Sequence, residues 1–477
     1  MAASETYMRA MLLTELQDVV GREHATMDDA DRIAHSVDFF WVSRYWAHKG
    51  KQPVKPDVIV YPDSAQQVSD LLKIAQYYKM PVTTWGGGSG SQGGALPVAG
   101  GIVLDTKRMN RILDINTTNY TVTAETGIIQ HNLERALNRR GLSTMHLPAS
   151  GPCATMGGFL AHRGTGVLST KYGKSEDLIV NMEVVLPSGE IIETVSVPRN
   201  AAGPDLNQVF LGSEGAYGII TRATVKIFDE PETRQYRAYM FPDIHSALEA
   251  GRLIMVRRLN PCTIRLYDAE ETVHQIERVL GVKKEGCYMT VGFDGYKEIV
   301  DIQERLAREI CMRTAYEDLG AELGQTWWEN KYKFYYPPYI LDLPQAFGTM
   351  DTVAPYDKLE TVYHAMKKAA ESFTGVRFIA HFSHWYEWGA MMYDRFILDE
   401  AYLPDDPEET VCLHNAVWNA CIGEAAKHGG VVNEHHGIGL KLSYLMRKHY
   451  GSSFKVMQHI KKALDPTGIM NPAKLGL

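Results

Sequence analysis

Several features that would assign this chain to a specialised class are missing from its 477 residues. No run of 18 apolar residues occurs, so the sequence predicts no membrane-spanning helix. Basic residues are not in excess either: 49 lysines and arginines stand against 57 aspartates and glutamates, a net charge of −8. Because binding to nucleic acid relies on neutralising phosphates, we expect no nucleic acid partner.

The six cysteines also lack a metal-binding pattern, because no two of them form a Cys-x-x-Cys pair. A chain of this length can bury a large core without disulfides, so we interpret them as buried thiols of a reducing compartment. Residues 1–21 carry acidic side chains and no long apolar run, unlike a signal peptide, and the C-terminus is not a peroxisomal signal. We therefore expect a cytoplasmic protein.

Composition and patterning divide the chain into four predicted segments. Residues 1–50 are helical and charged, and residues 51–230 alternate strands, helices and glycine-rich loops. Residues 231–420 lose those loops and gain aromatic side chains, which indicates a second domain. Residues 421–477 form a tail with its own glycine pairs.

Local signals support an α/β start to the second segment. Val58–Val60 predicts a strand, Ser64 with Gln67 predicts a capping box, and apolar residues then recur at helical spacing. A second short strand from Pro81 completes one β-α-β unit. Farther along, Pro187-Ser188-Gly189 between two alternating segments predicts a hairpin.

The densest glycine run contains a Gly-x-Gly-x-x-Gly pattern at Gly88, Gly90 and Gly93. A Rossmann fold requires a helix directly after such a loop, but Pro97 and a glycine pair precede the apolar strand that starts at Ile102. The Rossmann interpretation is therefore excluded. Glycines still let backbone N–H groups approach an anion closely, the alternative being a long flexible turn.

Two further glycine-rich stretches follow in the same segment. One runs from Pro148 through Thr155-Met156-Gly157-Gly158 to Gly166, and the other is Gly212–Thr221. A single glycine loop can arise by chance, whereas three in one domain predict a long ligand wrapped by backbone amides.

In this order, the three stretches resemble the FAD-binding domain of the vanillyl-alcohol oxidase/p-cresol methylhydroxylase (PCMH) flavoprotein family. Residues 464–472 are similar to the C-terminal end of its FAD-linked oxidase members. The resemblance implies an α+β fold: a two-subdomain PCMH-type FAD-binding domain, an α/β cap domain with an antiparallel sheet, and a C-terminal helical segment that returns to the flavin.

The resemblance also implies which residues bind FAD. They are Trp85, Gly86, Gly87, Gly88, Ser89, Gly90, Ser91, Pro148, Ser150, Thr155, Gly157, Gly158, His162, Arg163, Thr165, Glu214, Gly215, Gly218, Ile219 and Ile220. The glycine run of residues 85–94 contains no histidine or cysteine, so no covalent link forms there. A link through His384 or His414 stays open, but we expect non-covalent FAD.

Within the family, the cap is similar to the alkyldihydroxyacetonephosphate synthase-like branch, at Ile264–Asp268, Asp351–Asp357, Ser383-His384 and Glu434–Gly439. The D-2-hydroxyacid dehydrogenase branch has an acid directly before His-Gly, where it helps to bind a metal. Here that position is His435. We therefore expect no metal, although side chains at 381, 384 and 434 include metal-ligand types.

The resemblance makes Tyr393 the candidate acid/base. A phenol has an unperturbed pKa near ~10, so it requires a neighbouring cation, for which Arg265, Arg395, His435 and His436 are candidates. Tyr393 in an apolar run could equally be a core aromatic. Arg265 in an apolar strand requires an anionic partner, either a substrate or a structural acid. Of the adjacent histidines, we expect one to face the flavin and one to orient it.

These features predict an FAD-dependent oxidoreductase that removes hydride from a hydroxyl-bearing carbon. The alternatives are a synthase-like transferase without net redox change and a non-catalytic flavoprotein subunit. The substrate is a small molecule, aromatic or anionic, and the aromatic stretch of residues 327–339 either lines its pocket or belongs to the cap core. We expect a homodimer, and the electron acceptor remains open.

Overall fold

The computed structural model describes residues 2–52, 54–334 and 345–477, with side chains from residue 9 onward. The chain forms two compact units. The first unit comprises residues 1–165, 174–229 and 435–477, and the second unit comprises residues 166–173 and 230–434.

Eighteen strands lie in the described ranges: β1 Ala25–Thr26, β2 Val58–Val60, β3 Val82–Trp85, β4 Ile102–Asp105, β5 Ile112–Asn116, β6 Thr121–Glu125, β7 Leu142–Ser143, β8 Ile179–Val185, β9 Ile191–Glu193, β10 Ile219–Lys226, β11 Phe228–Asp229, β12 Thr233–Phe241, β13 Thr263–Tyr267, β14 Cys287–Gly295, β15 Glu317–Leu319, β16 Ala346–Pro355, β17 Val376–Trp385 and β18 Gly389–Leu398. The α-helices of the same ranges are α1 Ala2–Val20, α2 Asp29–Ala34, α3 Trp41–His48, α4 Ala65–Tyr78, α5 Gln130–Asn138, α6 Met156–Ala161, α7 Ser169–Tyr172, α8 Ser175–Leu178, α9 Asn207–Phe210, α10 Ile244–Val256, α11 Ala269–Glu271, α12 Glu277–Leu280, α13 Lys297–Cys311, α14 Gly320–Asn330, α15 Tyr356–Glu371, α16 Pro407–Lys427, α17 Met446–Tyr450 and α18 Phe454–Leu464.

A small sheet with strand order β1-β2-β4-β3 begins the first unit, and its last three strands run parallel. The predicted β-α-β unit is confirmed: α4 connects β2 to β3 and buries Val68, Leu71 and Leu72. The Ser64 hydroxyl accepts from the Gln67 N–H at 3.3 Å. The Gln67 side chain accepts from the N–H of Asp63 rather than of Ser64, so the predicted capping box is only half formed.

The second sheet of this unit is antiparallel, with order β5-β6-β10-β8-β9. The predicted hairpin is confirmed as β8 and β9, and Gly189 adopts the left-handed φ of +85° that its turn requires. No helix lies between the glycine run and β4 in the described chain, which confirms that the Rossmann interpretation fails.

The second unit is built on one antiparallel sheet of seven strands, in the order β15-β12-β14-β13-β17-β18-β16. Apolar residues of alternating positions, such as Leu266, Phe382 and Met392, are fully buried on the face that α10, α13, α15 and α16 cover. The opposite face carries polar side chains. In β17 the pairing with β18 shifts between Phe382 and His384, a bulge that gives Ser383 an extra position.

The α+β prediction is therefore confirmed, while one prediction about the cysteines is wrong. Cys153 and Cys412 are exposed, because they lie on a loop and on the outer side of α16, and the other four are buried thiols. None of the described helices combines the length and the apolar character needed to cross a membrane.

Asp465 is a buried acid of the C-terminal segment, and its substitution tests how strongly its contacts stabilise that segment. Its buried carboxylate accepts from the N–H groups of Ile469 and Met470 at 3.1 and 2.9 Å and from Lys461 Nζ at 2.6 Å. We expect Asp465→Asn to lower the free energy of unfolding by about 2–3 kcal/mol, because it removes one member of a buried ion pair. Denaturant unfolding measures the change, with exposed Asp405→Asn as the control; equal stability of both variants would contradict it.

Candidate functional site

A cavity of about 130 Å³ lies within the first unit. All three glycine-rich stretches line it. The predicted cofactor residues that line it are Gly86, Gly87, Gly88, Ser89, Gly90, Thr155, Gly157, Gly158, His162, Glu214, Gly215, Gly218, Ile219 and Ile220.

Six predicted cofactor residues lie outside this lining: Trp85, Ser91, Pro148, Ser150, Arg163 and Thr165. The Trp85 ring packs against His35, with ring centroids 5.1 Å apart. The Arg163 guanidinium donates to Gln208 Oε1 at 3.0 Å and lies 3.5 Å from Glu176 Oε1. These contacts correspond to the structural salt bridge that was the alternative to flavin binding.

Other residues line the cavity that were not predicted to bind FAD. They are Thr84, Gln92, Gly94, Ala95, Thr106, Thr126, Ala154, Phe159, Ala161, Ser213, His436 and Gly439. His436 among them was predicted as a catalytic candidate, and several others belong to the glycine-rich stretches. Thr84, Thr106 and Thr126 lie outside those stretches, and nothing local in the sequence marks them as ligand contacts.

The glycine run lies directly against the second stretch. A Cβ on Gly86 would lie 2.3 Å from Thr155 Oγ1, and a Cβ on Gly87 would lie 2.0 Å from the Cys153 carbonyl oxygen. Both distances are far below van der Waals contact, so only glycine permits this approach. The backbone of both loops is thereby exposed to the cavity instead of being covered by side chains.

The residue types in the cavity lining fit FAD. Glycines of all three glycine-rich stretches line it, and their backbone N–H groups are suited to contact a pyrophosphate. The Thr84 hydroxyl oxygen in the wall is shielded from solvent and lacks a hydrogen-bond partner among the described residues. A buried polar atom of this kind is normally satisfied, so it indicates a missing polar partner.

Glu214 connects the third stretch to the C-terminal segment. Its backbone has a left-handed φ of +49°, and its carboxylate accepts from the N–H groups of Ile438 and Gly439, the latter at 2.8 Å. Burial raises the pKa of Glu214 to about 7, although these two hydrogen bonds act in the opposite direction. This contact brings His436 and Gly439 into the cavity wall.

His162 holds the same segment at a second point, where its Nδ1 lies 2.8 Å from the carbonyl oxygen of His435. Burial lowers the pKa of His162 to about 4, so the ring is neutral at pH 7 and donates this hydrogen bond from Nδ1. The rings of His435 and His436 lie 4.0 Å apart, and only His436 belongs to the cavity lining.

The polar face of the sheet in the second unit brings together Arg265, Tyr393 and Arg395, three residues that the sequence singled out. The strand register is the reason: His381 pairs with Tyr393 across β17 and β18, and Tyr267 of β13 pairs with His381. Residues two apart on a strand share a face, so these side chains converge.

Tyr393 has an imidazole and a guanidinium as neighbours, and Asp351 pairs with it from β16. The His381 ring stacks on it with centroids 4.8 Å apart and planes inclined by 10°, and the Arg395 guanidinium carbon is 5.7 Å from its ring centroid. Arg395 forms an ion pair with Glu271, whose Oε2 is 3.0 Å from His381 Nδ1. Burial lowers the pKa of Arg395 to about 10, which leaves it charged at pH 7.

Arg265 is 5% exposed, and its Nη1 donates to Ser383 Oγ at 2.6 Å. Its Nε has no partner among the described residues. The bulge in β17 positions Ser383 for this contact. Sequence reasoning missed Glu271 altogether and considered His381 only as a metal ligand, since neither lies in a recognisable motif.

The remaining candidates of the second unit have structural partners. His384 Nδ1 lies 3.4 Å from a Glu434 carboxylate oxygen, and His414 Nε2 lies 2.9 Å from the Phe347 carbonyl oxygen. Trp327 Nε1 donates to the Tyr267 hydroxyl at 2.9 Å, so that part of the aromatic stretch belongs to the cap core. Residues 335–339 of the stretch lie outside the described residues.

Comparisons with known proteins agree with this geometry. A family model for an FAD binding domain matches residues 56–195, and one for the C-terminal domain of FAD linked oxidases matches residues 230–475. The FAD-linked oxidoreductase YgcU of Escherichia coli (strain K12), itself named as uncharacterized, is 30% identical over 97% of both chains. The alkyldihydroxyacetonephosphate synthase of Trypanosoma brucei brucei is 29% identical over 97% of this chain and 80% of its own.

Among solved structures, p-cresol methylhydroxylase with substrate bound superposes with a TM-score of 0.79. It covers 98% of this chain and 96% of its own, at 18% identity, so it supports the predicted PCMH-type fold. The matched models, the 30% identity to a full-length relative and the glycine-walled cavity lead to one conclusion: this chain is an enzyme of the FAD-linked oxidase family, with FAD as its cofactor.

Proposed function

We propose that this enzyme is an oxidoreductase that removes hydride from a carbon bearing a hydroxyl group. Bound FAD supplies a hydride acceptor at N5. The C–H bond breaks with its electron pair leaving as hydride, the O–H bond breaks with loss of a proton, and a carbonyl group forms. The protein therefore has to accept that proton and orient the substrate.

Tyr393 is the residue that we propose for the proton. The observation that carries this role is the presence of the stacked His381 ring and of the Arg395 guanidinium carbon, which is 5.7 Å from the ring centroid of Tyr393. A phenol needs a nearby cation to act as a base at neutral pH, and a guanidinium keeps its charge even in this buried position. Tyr393 is half-buried, so it is not enclosed like an ordinary core aromatic.

Arg265 is the residue that we propose for an anionic group of the substrate. It is buried, it has a serine hydroxyl as its hydrogen-bond partner, and its Nε has no partner among the described residues. A buried guanidinium without a carboxylate is costly unless an anion completes its environment. The geometry thus supports the substrate interpretation of Arg265 over the structural one.

A transferase without net redox change is the second candidate, because the Trypanosoma relative named as a synthase aligns with 97% of this chain. The two reactions differ in their electron balance. An oxidoreductase leaves the flavin reduced after one anaerobic turnover, whereas a transferase returns it oxidised. Bleaching of the flavin absorbance by a hydroxyl compound, without added acceptor, therefore favours the first candidate.

Gly90 offers a test of where the cofactor binds. It lines the cavity, and a Cβ on it would meet no protein atom within 4 Å, so the apoprotein tolerates alanine there. We expect Gly90→Ala to weaken FAD binding about tenfold, because the added methyl overpacks the bound cofactor. Titration of apoprotein with FAD gives the affinity, and FAD released by denaturation verifies that the cofactor is non-covalent.

Gly423→Ala is the matched control, since a Cβ at this position in α16 is equally free of contacts and lies in the second unit. Both variants should fold as apoproteins, and Gly423→Ala should unfold at or above the wild-type temperature, because alanine is favoured over glycine inside a helix. An unchanged FAD affinity in Gly90→Ala would mean that the cofactor binds elsewhere.

Tyr393→Phe tests the proposed base. We expect the anaerobic rate of flavin reduction to fall by about 10²–10⁴-fold, the usual contribution of general base catalysis, while the FAD content stays the same. Stopped-flow absorbance measures this rate, and exposed Tyr402→Phe provides the control for loss of a phenol hydroxyl. A wild-type rate in Tyr393→Phe would remove this residue from the mechanism.

A further inference from the structure

We propose that Glu271 is a specificity-determining residue, which restricts the anionic group of the substrate to a single negative charge. The inference rests on the proposed function, since it takes Arg265 as the contact for that group. It concerns only side chains of the second unit and their charges.

Glu271 is held rigidly at the polar face. It is the last residue of α11, and its N–H donates to Asp268 Oδ1 at 2.7 Å. The next five residues, Thr272–Ile276, form a π-helical turn, a form that occurs often at functional sites. The residue is 1% exposed, so its carboxylate cannot turn to solvent without unfolding this turn.

The carboxylate of Glu271 already satisfies one of the two arginines. It forms an ion pair with Arg395 and lies 3.0 Å from His381 Nδ1. The charge of Arg395 is therefore compensated by a carboxylate of the protein itself. Arg265 differs, because in the described chain it has no carboxylate partner, only the Ser383 hydroxyl.

His381 shares the carboxylate of Glu271 with Arg395, since its Nδ1 lies 3.0 Å from Glu271 Oε2. Arg265, Arg395 and Glu271 thus bring two guanidinium charges and one carboxylate charge to this face, and of these three groups Arg395 and Glu271 form the ion pair. The net charge of these groups is one positive charge, carried by Arg265.

One buried positive charge matches a monoanion, such as a carboxylate or a sulfate ester. A dianion, such as a phosphate ester, would bring one uncompensated negative charge into a place shielded from water. Replacement of Glu271 by glutamine preserves its size and its hydrogen bond to His381 but frees the charge of Arg395. The same cluster would then match a dianion.

Propyl sulfate and propyl phosphate are suitable probes, because both present a tetrahedral oxyanion and neither has a hydroxyl to oxidise. At pH 8 the sulfate carries one charge and the phosphate about two. Calorimetric titration of the FAD-loaded enzyme should show propyl sulfate binding about tenfold more tightly. In Glu271→Gln we expect propyl phosphate to bind at least as tightly as propyl sulfate.

Two matched variants separate charge from structure. Glu271→Asp retains the charge and should retain the wild-type preference for the sulfate. Glu270→Gln removes a carboxylate from the neighbouring exposed position and should leave the preference unchanged. A sulfate-to-phosphate affinity ratio that is equal in wild type and Glu271→Gln overturns the proposal. If Glu271→Gln fails to fold, wild-type enzyme that binds both esters equally overturns it as well.

Failure of the proposed function gives different results. If Arg265→Met leaves the binding of both esters unchanged, Arg265 is not the anion contact, and both its proposed role and this inference fall. If Arg265→Met abolishes binding and Glu271→Gln reverses the ratio, this inference stands. Absence of flavin bleaching by any hydroxyl compound would then overturn only the hydride transfer.

Discussion

Close approach of loop backbones is the constraint on which the cofactor cavity depends. A Cβ on Gly87 would lie 2.0 Å from a carbonyl oxygen of the second loop, and a Cβ on Gly439 would lie 2.1 Å from the Gln92 carbonyl oxygen. Because side chains are excluded at these crossings, peptide groups of the loops take part in the cavity wall, and their N–H groups suit an anionic cofactor. The glycines are therefore required by packing as much as by the ligand.

This wall is completed by a segment that is distant in the chain. Glu214 accepts hydrogen bonds from Ile438 and Gly439, more than 200 residues later, and His162 contacts the carbonyl oxygen of His435. Asp465 fixes the end of the same segment through two backbone N–H groups and Lys461. Each of these buried carboxylates is satisfied by several donors, and Ile469, Met470 and Leu475 of the same segment add apolar contacts with the core.

The second unit differs from the first in that its characteristic feature is a group of buried charged side chains. Helices cover one face of its sheet. Arg265, His381 and Arg395 lie on the other face. Glu271 of α11 contacts His381 and Arg395 there, and all four side chains are at most 5% exposed. Buried charges of this density are stable only when they compensate one another, and here the compensation is incomplete at Arg265. Arg395 is paired with Glu271, whereas Arg265 has a serine hydroxyl and no carboxylate partner in the described chain.

What could be predicted from the sequence was local. Glycine density and side-chain period predicted the three loops and the short strands, whereas the α+β class, most of the cavity lining and the candidate Tyr393 came from the family resemblance. Glu271 lies 110 residues from His381 and 124 from Arg395 along the chain, and nothing local marks it. Only the register of β13, β17 and β18 brings those charges together, because pairing between distant strands is a property of the folded chain and not of any segment of it.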